Sequence, residues 1–266
     1  MNLEKDLSGR IAVVTGSTTG IGFSIADALA GMGAEVVVNG RTEDKVEAAR
    51  ERLAADRPDA TVRGVAADLA TAEGCARLVA AEPRADVLVN NIGIFGLADF
   101  FEVPDADWFA YFETNVMSAV RLSRAYLPAM MERDWGRIVF LASEAALSIP
   151  PKMIHYAFTK TAALSLAQGL AKVAAGTGVT VNSVLPGPTL SDGLATMLAP
   201  MAEESGRPIK DVADAFVREN RSTSIIQRAA ATEEVASMVA YVASSRSSAT
   251  TGAALRVEGG AVDSIV

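Results

Sequence analysis

Short apolar runs alternate with longer stretches of helical period along almost the whole chain. The runs 11–14 (IAVV), 35–39 (EVVVN), 61–66, 86–91 (DVLVNN), 138–142, 179–185 and 254–257 have the length and composition of strands. Between them, 23–30, 43–55, 72–81, 105–133, 154–175 and 232–243 read as helices. Ile21, Ile25, Ala28 and Leu29 in the first, and Trp108, Phe109, Phe112, Val116 and Val120 in the fourth, recur at helical spacing. Thr232 is expected as the N-cap of the last helix, with Glu234 in its first turn. Strand and helix in alternation imply parallel strands, helices on both faces and right-handed crossovers. No repeat, linker or low-complexity tract divides the chain. The pattern therefore predicts one α/β domain over 1–266, a Rossmann-type doubly wound parallel sheet of about seven strands. The rhythm breaks once, from Pro186 to Gln227. That stretch carries Pro186, Pro188, Pro200 and Pro208, with Met197, Leu198 and Met201 suggesting one short apolar helix. So long an excursion after a strand end is usually functional, and a lid is expected at about 187–230.

Composition narrows the classes. The chain has 266 residues, half of them hydrophobic, enough to bury a sizeable core. A net charge of −8 without basic blocks argues against nucleic acid or an anionic membrane as partner. The start, MNLEKDLSGR, is polar and mixed in charge, unlike a signal peptide, and no run is long and apolar enough to span a bilayer. One cysteine, Cys75, excludes an intrachain disulfide and suits a reducing, cytoplasmic setting. One cysteine with one histidine, His155, makes a zinc site a poor reading. No G-x-S-x-G elbow is present, which counts against an α/β-hydrolase.

Two stretches carry candidate chemistry. Thr15-Gly-Ser-Thr-Thr-Gly20-Ile-Gly22 joins the first strand to the first helix. Glycines there let the backbone approach a phosphate, and the helix N-terminus offers free N–H groups and a positive dipole end. The second stretch is Ser143 to Lys160. Tyr156 and Lys160, four apart on a helix, share a face. An ammonium beside a phenol favours the phenolate, so the pair can move a proton to or from an alcohol or ketone oxygen. Ser143 ends the fifth strand, at the edge where ligands bind in open α/β sheets. His155 points about 100° away from Tyr156 and reads as a rim or packing residue rather than a catalytic one.

With loop, strand ends and Tyr/Lys pair together, the chain resembles the classical short-chain dehydrogenase/reductase family over essentially its whole length. The family's TGxxxGxG loop matches residues 15–22, and its NNAG motif matches Asn90-Asn91-Ile92-Gly93, with Ile92 in place of the usual alanine. The resemblance implies Asn115, Ser143, Tyr156 and Lys160 as catalytic residues. Tyr156 is then the acid for ketone reduction, and Lys160 lowers its pKa and holds the nicotinamide ribose. Ser143 bonds the substrate oxygen, and Asn115 anchors a water linking Lys160 to solvent. It also implies a dinucleotide held by Gly16, Ser17, Thr19, Gly20, Ile21 and Gly22, by Asp68 and Leu69, by Asn91 and Gly93, by Tyr156 and Lys160, and by Pro186, Gly187 and Thr189. The activity implied is hydride transfer between a nicotinamide cofactor and a carbonyl or secondary alcohol. A non-catalytic dinucleotide-sensing regulator or scaffold on the same fold is the alternative, since fold alone does not grant catalysis.

Three finer expectations follow. Asn39-Gly40-Arg41 stands where an NAD site would place an acidic residue, so Arg41 can meet a 2′-phosphate and NADP is expected over NAD. The apolar and small residues of 154–175 cover more than one helix face, which suggests a homo-oligomer, a tetramer of two-fold symmetry. Leu194, Met197, Leu198 and Met201, facing Ile94, Phe95, Leu147, Ile149 and Met153, are expected to wall a pocket. Such a wall suits a medium-sized, largely apolar ketone, secondary alcohol or 3-oxoacyl group.

Overall fold

The apolar runs become strands, and their side chains divide between two faces with a period of two. The computed structural model describes residues 5–265. The first four positions of the polar start and the last position of the predicted domain lie outside the described residues. Strands β1 (Ile11–Val14), β2 (Glu35–Gly40), β3 (Val62–Ala66), β4 (Val87–Asn90), β5 (Gly136–Leu141), β6 (Val179–Pro186) and β7 (Ala254–Val257) form one sheet in the order β3-β2-β1-β4-β5-β6-β7. Every pairing is parallel.

Ala12 and Val14, Val36 and Val38, Val87 and Val89, and Val139 and Leu141 face one core. That core is closed by α1 (Gly20–Gly31), α2 (Glu43–Asp56) and α9 (Thr232–Ala243), through residues such as Ile25, Leu29, Leu53 and Val239. Val13, Val37, Leu88, Ile138 and Phe140 face the other. There α3 (Ala72–Ala81), α5 (Ser118–Glu132) and α6 (Ile154–Val173) supply Leu78, Leu122, Met130, Ala163 and Ala167. The chain runs outward from β1 to β3 and then restarts at β4 on the other side. The C-terminal ends of β1 and β4 therefore open a crevice, the place where doubly wound sheets bind ligands.

Four boundaries differ from the sequence reading. The long helix predicted over 105–133 is α4 (Asp105–Phe112), a π-helical turn at Glu113–Met117, and α5. Helical periodicity runs through such a turn without a sequence signal. The first helix begins at Gly20, earlier than predicted; Gly20 opens it with φ +58°, in the left-handed region that favours glycine. Ala231, not Thr232, is the N-cap of α9; the Glu234 carboxylate accepts the Ala231 N–H at 2.7 Å. The Thr232 hydroxyl instead accepts from Ser24 Oγ at 2.8 Å, tying α9 to α1. The excursion after β6 holds two helices, α7 (Asp192–Ser205) and α8 (Ile209–Asn220), rather than one. They bury Leu194, Leu198, Val212, Ala213 and Val217 against one another in a small core of their own.

Candidate active site

The glycine loop sits in the crevice because neighbouring side chains bond its backbone. Asn91 Nδ2 donates to the Thr15 and Gly16 carbonyls at 2.8 and 3.0 Å, and the Asn91 N–H donates to Thr15 Oγ1 at 2.9 Å. Ser17 Oγ donates to the Val14 carbonyl at 2.7 Å and accepts from the Asn39 N–H at 3.0 Å. Ser17 is fully buried, so its hydroxyl shapes the loop and does not face the cavity. Gly22 is required by close approach: a Cβ there would run into the Gly16 carbonyl oxygen and the Asn91 side chain.

A cavity of about 330 Å³ lies over the loop. Gly16, Thr19, Gly20, Ile21 and Gly22 line one side of it, and Ser143, Tyr156 and Lys160 another. Asn91, Gly93, Pro186, Gly187 and Thr189 also line it. The residues matched to the adenosine end lie beyond the cavity, at the ends of β2 and β3. Arg41 and Asp68 are exposed there, and Leu69 is buried in the core. The Arg41 side chain makes no hydrogen bond or ion pair with any described residue. Open backbone with no room for a Cβ, a helix N-terminus beyond it and an exposed arginine at the rim together fit a dinucleotide.

Asn115 lies behind the cavity wall, in the π-helical turn. Its Oδ1 accepts the Ile94 N–H at 2.8 Å, and its Nδ2 donates to the Ile94 carbonyl at 3.0 Å and to Thr159 Oγ1 at 2.9 Å. A Cβ on Gly93 would stand 3.3 Å from Lys160 Nζ and 3.4 Å from Asn115 Oδ1, so a larger residue would crowd both side chains.

Lys160 Nζ donates to the Leu141 carbonyl at 2.7 Å and stands 5.7 Å from the Tyr156 ring centre. Burial pushes its pKa down to about 8. Burial pushes the Tyr156 phenol up to about 12, against a lowering hydrogen bond from Ser143. The sequence led us to expect Lys160 to depress this phenol. Desolvation instead drives both groups toward their neutral forms. At neutral pH Tyr156 thus holds its proton, the state in which it serves as an acid. His155 is buried in edge contact with Tyr111 and Trp108, a packing residue as expected.

The pocket wall is only partly the expected one. Phe95, Met153, Leu194 and Met197 line the cavity, joined by Leu97 and Phe216. Leu198 is instead buried in the small core of α7 and α8, and Ile94, Leu147, Ile149 and Met201 are exposed. Three polar residues were not singled out from the sequence. Asp192 Oδ2, at the first turn of α7, accepts the Gly20 N–H at 2.8 Å. Glu144, next to Ser143, is buried and accepts from Arg221 Nε at 2.8 Å, and both line the cavity. A lone charge inside LASEAAL is a signal for Glu144. Arg221, in a polar stretch, offers none.

Comparison with known proteins places these features in a group. Residues 10–201 match the family model described as short chain dehydrogenase. The chain is 47% identical over 263 residues to an uncharacterized oxidoreductase, YvaG, of Bacillus subtilis (strain 168), covering 99% of this chain and 100% of the relative. It is 31% identical over 261 residues to the 3-oxoacyl-[acyl-carrier-protein] reductase FabG of Escherichia coli (strain K12), covering 98% of each. The crystal structure of L-sorbose reductase from Gluconobacter frateurii, complexed with NADPH and L-sorbose, superposes with a TM-score of 0.92 at 31% identity, covering all of both chains.

Proposed function

The chain belongs to the short-chain dehydrogenase family and is an oxidoreductase of alcohol and carbonyl groups, and on that premise we propose that it reduces a medium-sized ketone with NADPH. The reading rests on one observation above all: Ser143, Tyr156 and Lys160 share a cavity with the glycine loop. The whole of 1–266 then acts as one catalytic domain, with 187–230 as its lid.

The cofactor is NADP(H), in keeping with the NADPH-bound neighbour and with Arg41 at the end of β2. Its diphosphate would meet Gly16 and Thr19 to Gly22, its 2′-phosphate Arg41 and its adenine end Asp68, while buried Ser17 and Leu69 support the site from beneath rather than touch the cofactor. Asn91, Gly93, Pro186, Gly187 and Thr189 would frame the nicotinamide end. The cofactor supplies a hydride to the carbonyl carbon. The protein's part is the proton and its positioning. Tyr156 Oη gives its proton to the carbonyl oxygen as negative charge develops there. Ser143 Oγ donates a hydrogen bond to the same oxygen. Lys160 Nζ, anchored on Leu141, holds a positive charge near the phenol and would hold the cofactor ribose. Asn115, beside Gly93, keeps a water path from Lys160 to solvent.

Phe95, Leu97, Met153, Leu194, Met197 and Phe216 suit a substrate whose body is largely apolar, with a 3-oxoacyl group among the forms that fit. Exposed Phe101, Phe109 and Phe158, on the turn before α4, on α4 and on α6, support assembly through this face. Two-fold related copies would then build a homotetramer. Cys75 is a buried free thiol, in keeping with a reducing, cytoplasmic setting. Purified protein incubated with NADPH and a panel of ketones, followed by loss of NADPH absorbance, tests the proposal. Steady consumption with at least one ketone is the expected result; none with any ketone would overturn it.

A further inference from the structure

Glu144 carries a carboxylate that the reduction chemistry does not use, yet it follows Ser143 directly and is 3% exposed. A buried charge is costly unless it is paired and its remaining lone pairs are satisfied. Its pairing is incomplete. Glu144 Oε1 accepts from Arg221 Nε at 2.8 Å, while Glu144 Oε2 is buried with no hydrogen-bond partner. Arg221, at the end of α8, gives its Nη1 to the Asn220 carbonyl at 2.9 Å, and its Nη2 has no partner among the described residues.

Three other arginine–carboxylate pairs close more fully, whereas Arg121–Glu113 also has a single contact, with Arg121 Nη1 buried and unpartnered. Arg228 grips Glu234, Arg57 grips Asp27 and Arg63 grips Glu82, each through two nitrogen–oxygen contacts of 2.7–2.9 Å. Those forks are complete and more exposed. A pair whose only task was to latch the lid would be expected to close in the same way. The pair nearest the catalytic serine instead leaves one acceptor and one donor unspent, on two residues that both line the cavity.

From this we propose that Glu144 and Arg221 form a hydroxyl-recognition subsite, so that the ketones taken by this site carry a hydroxyl one or two carbons from the reacting carbonyl. The proposal rests on the ketone-reductase reading above and names a substrate class within it. A hydroxyl accepts one hydrogen bond and donates another, which matches Arg221 Nη2 and Glu144 Oε2 together. A ketone with no second oxygen leaves both unsatisfied. A carboxylate could take the arginine, but it would bring its charge against Glu144, with Glu258 buried close by. Glu144 and Arg221 both act on the Tyr156 phenol, which puts the subsite near the reacting carbonyl.

The test compares three substrates of one chain length with NADPH and the full-length enzyme: a 1-hydroxy-2-alkanone, the parent 2-alkanone and a 2-oxo acid. The hydroxyketone should be favoured over the parent ketone by roughly tenfold or more in kcat/KM, since sites built to bond a hydroxyl reject analogues lacking it. In Arg221→Gln and in Glu144→Gln that ratio should fall toward one, with the loss chiefly in KM. If burial makes Glu144→Gln misfold, as a thermal melt would reveal, Arg221→Gln carries the comparison alone. Equal use of the hydroxyketone and the parent ketone by the unmodified enzyme, preference for the oxo acid, or an unchanged ratio in Arg221→Gln would overturn the subsite while leaving ketone reduction intact. No turnover of any ketone would overturn both.

Discussion

The two sides of the cavity are built by different means. The glycine-loop side is backbone held by side chains that are already engaged: Asn91, Ser17 and Asn39 spend their polar atoms on the loop and on the strands beneath it. The facing side is made by side chains, and part of it belongs to the α7–α8 excursion, which has a hydrophobic core separate from those of the sheet. Several polar contacts tie this excursion to the body. Asp192 reaches Gly20, Arg221 reaches Glu144, and the Ile225 and Ile226 N–H groups donate to the Gly259 carbonyl. A backbone cradle is rigid and indifferent to most substitutions except those that add bulk. A side-chain wall can be altered one residue at a time.

The contrast can be broken most severely at Lys160, the residue that serves both sides. Lys160→Ala removes the buried cation and its anchor, so turnover should fall by roughly 10²–10⁴-fold. NADPH affinity should fall with it, by about tenfold for a lost charged hydrogen bond; titration and steady-state rates read the two separately. Gly22→Ala acts on the cradle alone. Its methyl has no room beside the Gly16 carbonyl, so NADPH binding should weaken by roughly tenfold or more, read by fluorescence titration.

Acidity offers a graded probe. Burial sets Lys160 near 8, with its charged form present below that value. The rate of ketone reduction should therefore hold at neutral pH and decline as pH rises through about 8, approaching tenfold per unit. Lys160→Arg should move that decline upward. The smallest effect belongs to Asp192, whose carboxylate occupies the Gly20 N–H in the loop. Asp192→Asn removes a negative charge from the place where a diphosphate would bind. NADPH should bind about two- to fivefold more tightly, an advantage that added salt reduces because the contact is exposed.

Legibility in the sequence followed the same division. Each predicted strand lies within a residue or two of the observed one, because strands covered by helices on both faces must be apolar along their length. The loop 15–22 was legible because its glycines stand between a strand and a helix. Asn115 gave no sign of its own and was marked only through the family's pattern, since helical spacing continues through the π-helical turn that presents it. The stretch after β6 was recognised as an excursion but not as two helices. Leu194, Leu198 and Val217 serve a small local core, and a short apolar stretch reads alike whichever surface it covers. Arg221 and Glu144 meet across 77 positions, a juxtaposition that only the tertiary structure supplies.

The central claim, that Tyr156 delivers the proton in a reduction for which the cradle merely holds the cofactor, is tested most directly by a single-turnover experiment on Tyr156→Phe. Saturating enzyme is mixed with NADPH and the best ketone, NADPH loss is followed, and NADPH affinity is titrated on the same preparation. Affinity within a few-fold of the parent and a rate lower by roughly 10²–10⁴-fold are expected. A rate within a few-fold of the parent would contradict that claim.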